Sequence, residues 1–167
     1  DASVLFNTSL SPKLTSKTNT FYGIEIDLNE INKTVKTVEE LLELNPSSLE
    51  LQKMLVESYI KTNQYEKALN TVNNSMEIFP DDINLIELKG NAYVKMKEWD
   101  KGAEEYKKIL NKPNIPFEIK MRIGAAFYAE SLNDSTLLPI ALNVLQQIDK
   151  DSSDWQINAF MGEISNK

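Results

Sequence analysis

The chain has 167 residues, 41% hydrophobic and 26% charged, with 18 basic against 25 acidic side chains and a net charge of −7. That length supports one well-buried domain rather than two large ones, and the acidic balance argues against nucleic acid as a partner, since phosphate contacts need concentrated Lys and Arg. The absence of Cys and His removes disulfides, thiol nucleophiles, the commonest general base and the commonest metal ligand together, so no metal site and no cofactor is expected.

No apolar run approaches a bilayer-spanning length, so no membrane insertion is expected. The chain starts at Asp1 rather than Met, which reads as an upstream piece removed: a secretory signal or the rest of a longer protein. Localisation therefore stays open between cytoplasmic and exported.

Residues 1–27 are rich in Ser, Thr and Asn with two short apolar pieces, "VLF" and "FYGIEI". They predict an extended or disordered segment strapped over the helical part of the chain. A further reading seats Phe21 and Tyr22 in the protein's own groove as an internal ligand. From residue 28 to 167 the pattern is helical. In "DLNEINKTVKTVEELLELNP", Ile31, Val38, Leu41 and Leu42 recur at helical spacing and predict a lone helix, within a unit 28–48.

The segment 49–82 predicts a helical hairpin. Leu51, Leu55 and Tyr59 make one apolar stripe, and Ala68, Leu69, Val72 and Met76 make the next. Asn63-Gln64 is the turn between them, and Pro80 ends the second helix because it cannot continue the ladder. Ser47, three residues before Glu50, has capping-box form.

Units 83–116 and 117–151 repeat this plan. Pro46 and Pro80 are 34 apart, Tyr59, Tyr93 and Phe127 are separated by 34 and 34, and Val56, Gly90 and Gly124 keep the same step. Such a constant period marks stacked supersecondary units. The third unit is longer: Phe127 to Ala141 is 14 residues, where Tyr59 to Ala68 and Tyr93 to Gly102 are 9, placing five extra residues in "ESLNDSTLLP". A surface insertion between the two helices is expected there. The last predicted element is a terminal helix over 153–166, with Ile157, Phe160, Met161 and Ile164 on one face and Trp155 at its start.

These columns resemble the tetratricopeptide repeat, whose 34-residue helical hairpin carries a small residue at positions 8 and 20, aromatics near 11 and 17, and proline at 32. Val56, Tyr59, Ala68 and Pro80 fit the first full unit, Gly90, Tyr93 and Gly102 the second, and Gly124, Phe127 and Ala141 the third. Lys89 stands where the family usually has Leu. The resemblance implies an all-α fold, an α-solenoid of stacked antiparallel helix pairs in a right-handed superhelix. It also implies that Gly90 faces Gly102, and Gly124 faces Ala141, where the paired helices cross.

The same resemblance implies a non-catalytic protein-interaction scaffold whose first helices line a concave groove for a peptide or protein segment. Its groove positions fall on Lys53, Glu57, Ile60 and Lys61, then Glu87, Asn91, Val94 and Lys95, then Met121, Arg122, Ala125 and Tyr128. An apolar line of Ile60, Val94 and Tyr128 would anchor the partner. The family's carboxylate clamp for chaperone C-termini would fall on Lys53, Glu57, Leu88, Glu118 and Arg122, where only Lys53 and Arg122 fit. An alternative expectation is a structural module that self-associates, as a homo-oligomer or on adjacent repeats, through its outer face or C-terminal helix. Catalysis is not expected: no glycine-rich phosphate loop or nucleophile elbow frames the carboxylates.

Overall fold

The computed structural model describes residues 19–21, 24–26, 28–151 and 154–166. A short antiparallel hairpin comes first, β1 (Asn19–Phe21) and β2 (Ile24–Ile26), with Phe21 opposite Ile24. It lies within the segment expected to be extended or disordered. Residues 1–18 and the internal-ligand reading of Phe21 and Tyr22 lie outside the described residues and side chains.

Eight α-helices come after it among the described residues: α1 (Leu28–Leu44), α2 (Leu49–Lys61), α3 (Tyr65–Ile78), α4 (Ile83–Lys95), α5 (Trp99–Leu110), α6 (Phe117–Asn133), α7 (Leu138–Asp151) and α8 (Trp155–Ser165). The helices pair as antiparallel hairpins, α2 with α3, α4 with α5 and α6 with α7, and the hairpins stack into an α-solenoid. The helix starts obey the sequence period. Ser48 caps α2 by accepting from the Leu51 amide at 3.4 Å, and Asp82, 34 residues on, caps α4 by accepting from Leu85 at 2.9 Å. Ser48 therefore takes the cap expected of Ser47. The turns obey the period as well: Asn63 and Lys97 both adopt left-handed backbone, with φ of 59° and 62°. That conformation reverses the chain tightly between the helices of a pair.

Two apolar cores run along the stack and meet at α4. Leu85 and Ala92 belong to the first, with Val35, Val38, Leu55, Val56, Ala68 and Val72 from α1 to α3. Ile86 and Val94 belong to the second, with Tyr106, Phe127, Leu145 and Ile157 from α5 to α8. Of the apolar residues expected to hold α1, Val38 is buried, Ile31 and Leu42 are half-buried, and Leu41 is exposed; Val35 takes its place in the core.

The crossing of α4 and α5 is close. A Cβ on Gly102 would lie 2.8 Å from Val94 Cγ2 and 3.3 Å from the Gly90 carbonyl oxygen, so backbone does meet backbone there. Gly90, however, faces the Tyr106 ring, whose atoms begin 3.1 Å from where its Cβ would be. In the third unit the nearest atoms over Gly124 come from Leu145, Ile148 and Ile157 rather than from Ala141. Larger side chains of α7, joined by Ile157 from the terminal helix, take the contact that the pairing rule gave to Ala141.

The insertion is not an external loop. α6 has 17 residues where α2 and α4 have 13, so Glu130 to Asn133 form an added helical turn. A 3-10 turn, Ser135–Leu137, then leads into α7 with Leu137 fully buried. Asp134 caps that turn through the Thr136 amide.

Candidate functional site

The first helices of the three full units, α2, α4 and α6, flank an open cleft of about 870 Å3. The backbones of α2 and α4 run in close contact, as do those of α6 and α8, but α4 and α6 stand further apart. Long side chains bridge that wider gap. Arg122 of α6 donates to both carboxylate oxygens of Glu87 on α4, at 2.8 and 2.7 Å. That hydrogen bond holds the guanidinium above its ordinary pKa. At the other end of α4, Lys95 donates to Glu130 at 2.7 Å, and Glu130 belongs to the added turn of α6. The insertion thus supplies one wall of the cleft with its counter-charge.

Behind the bridges lies Tyr106. With no side chain on Gly90, the ring reaches the cleft from α5 and meets Phe127 edge-on at 5.6 Å between centroids. Burial drives its hydroxyl well above the usual tyrosine pKa, so it stays neutral. Leu88 and Met54 contribute apolar surface on the α2 and α4 side; Ala125, Ala126 and Ala129 leave room on the α6 side. At the first unit's edge Lys53 sits between Asp82 at 3.3 Å and Glu50 at 3.5 Å.

Of the groove residues expected from the sequence, the cleft gathers Lys53, Glu57, Glu87, Asn91, Val94, Lys95, Arg122 and Ala125. The remaining four lie elsewhere. Ile60 is only 8% exposed and packs in the first core, Lys61 is exposed at the end of α2, and Met121 packs against the second core. Tyr128 stacks on Phe160 of α8, with ring centroids 4.3 Å apart, and its hydroxyl bonds to Glu163. That bond raises its pKa. The expected apolar line of Ile60, Val94 and Tyr128 is therefore not presented to a partner: Val94 touches the cleft but is 2% exposed, and α8 covers Tyr128. Met54, Leu88, Tyr106, Ala126 and Glu130 line the cleft without having been expected there. Met54 could have been found as an apolar residue off the buried stripe of α2; Glu130 could not, because it depends on the added turn.

Lys89, the departure from the family pattern, is explained by a half-buried ion pair. Its Nζ lies 3.3 Å from Glu105, which is buried and also holds Lys108 at 2.7 Å. The charge within the second hairpin is compensated across α4 and α5, as burial requires.

No described helix is long and apolar enough to cross a membrane. No curated protein sequence matches the chain. Among solved structures, a crystal structure of a MamA protein superposes with a TM-score of 0.60 over 83% of this chain and 73% of its own, at 9% identity. MamA residues 41 to the end from Desulfovibrio magneticus RS-1 give 0.54 over 76% and 71%, at 18% identity. A tetratricopeptide repeat protein from Parabacteroides merdae ATCC 43184 gives 0.60 over 83% and 55%, at 12% identity. At these identities the likeness is one of fold. The sequence model of the tetratricopeptide repeat matches residues 26–92, which run from β2 through most of α4. That match, the period of 34 and the stacked hairpins agree: residues 26–92 match the tetratricopeptide repeat, and the hairpins after them continue the same fold.

Proposed function

We propose that the chain is a non-catalytic protein-interaction scaffold that takes an extended segment of a partner in the cleft between α2, α4 and α6. The observation that carries this reading is the cleft itself. It is about 870 Å3 and lined by a mixture of charged, amide and small apolar side chains. Such a surface offers hydrogen bonds to a backbone and shallow space for side chains, the requirements of peptide capture. A second reading, association through α8, is favoured by Trp155, which begins that helix 75% exposed.

One capture experiment separates them. The wild-type chain, an Ala129→Trp variant that fills the cleft from an exposed position, and a Trp155→Ala variant are each presented to an extract of the source cells. The cleft reading expects proteins held by wild type and by Trp155→Ala to be lost with Ala129→Trp. Retention by all three would sink it; loss only with Trp155→Ala, together with a changed sedimentation profile, would establish the α8 reading instead.

A further inference from the structure

Every cation that lines the cleft is already engaged. Arg122 is held by both oxygens of Glu87, Lys95 by Glu130, and Lys53 by Asp82 and Glu50. The carboxylates are not equally satisfied. Glu57 is exposed on α2, lines the cleft and has no ion pair among the described residues, and Glu50 keeps only the 3.5 Å contact with Lys53. A carboxylate entering the cleft would have to displace an internal partner from Arg122 or Lys95, whereas an ammonium or guanidinium finds Glu57 waiting.

The middle row of the cleft gives this preference a direction. Glu57, Asn91 and Ala125 are 34 residues apart in turn, occupy equivalent places on α2, α4 and α6, and all line the cleft. Along the stack the row therefore reads carboxylate, amide, methyl. The amide can pair with a peptide backbone, donating through its NH2 and accepting through its carbonyl. The methyl leaves space beside Ala126 and Ala129.

We infer that the occupant of the cleft is an extended peptide segment bearing a Lys or Arg over Glu57 and, further along, an uncharged side chain in the space over Ala125. The inference rests on the proposed peptide capture in the cleft and adds the ligand's chemistry and order.

Random dodecapeptides displayed on phage are selected against the full chain, against Glu57→Lys, and against Ala129→Trp as the filled-cleft control. The expected result is enrichment of sequences with a basic residue at a fixed distance from an uncharged bulky one. Glu57→Lys should bind those peptides at least about tenfold more weakly, the scale of one mispaired charge, and select acidic residues at that place instead. Peptides that Ala129→Trp excludes but that are acidic, or that Glu57→Lys binds unchanged, would overturn the inference and leave the cleft reading standing. Peptides bound equally by Ala129→Trp, or no enrichment by any of the three proteins, would overturn both.

Discussion

Gly102 and Gly162 are both helical glycines, yet their surroundings set them opposite tasks. A side chain at Gly102 would collide with a stiff β-branched neighbour, Val94 Cγ2 at 2.8 Å, and crowd the Gly90 carbonyl. Nothing lies within 4 Å of a Cβ at Gly162. Urea denaturation should therefore show Gly102→Leu destabilised by about 3 kcal/mol or more, the upper end of overpacking. Gly162→Ala should gain about 0.5–1 kcal/mol from reduced backbone freedom and better helix propensity. Equal stability of the two variants would remove the close crossing as the reason for glycine at 102. The small residue at 102 was legible in the sequence because it kept the period. What faces Gly90 was not, since the spacing does not say which residue of α5 fills the window; in the structure it is the Tyr106 ring, set edge-on to Phe127.

At the scale of elements, α1 has no hairpin partner before it among the described helices and is tied to α2 partly by one hydrogen bond. The Tyr59 hydroxyl donates to Glu39 at 2.5 Å. Burial, then that bond, then the carboxylate's charge push the Tyr59 pKa from 10.0 up to about 12. The native state thus holds its proton after the unfolded chain has lost it, so the stabilisation is complete below pH 10 and is lost as pH rises towards 12. Tyr59→Phe should be less stable than wild type by about 1 kcal/mol at neutral pH, with the difference closing between pH 10 and 12. Denaturation curves at neutral and alkaline pH measure this; a difference that persists unchanged at the top of the window would deny the bond its role. The helices of the first full hairpin were readable almost to the residue, because Pro80 and the apolar stripes are local signals. The cap, however, falls on Ser48 instead of Ser47, and the added turn of α6 stands where the spacing predicts an insertion between helices. The groove was readable only in part. Repeat positions give the direction of a side chain but not which neighbour covers it, so Ile60 and Tyr128 fell out of the cleft once the core and α8 were in place.

For the whole molecule, the two cores meet at α4, and each hairpin packs on its neighbours in the stack. Stability in such a stack spreads from neighbour to neighbour rather than from one centre. Phe160→Ala removes the ring stacked on Tyr128 and should cost about 2 kcal/mol, below the range for a fully buried Phe because this one is half-buried. Hydrogen exchange should then quicken in α6 to α8 while α1 to α3 keep their protection; uniform loss along the chain would mean one cooperative block. Finally, the five additional residues of the third unit place Glu130 on Lys95 and Asp134 within 3.8 Å of Lys97, clasping the far end of the preceding hairpin. A standard-length unit would leave both lysines without those carboxylates and turn that rim of the trough basic. An accident of length in one repeat thereby fixes the sign of the field that an arriving chain meets in its neighbour.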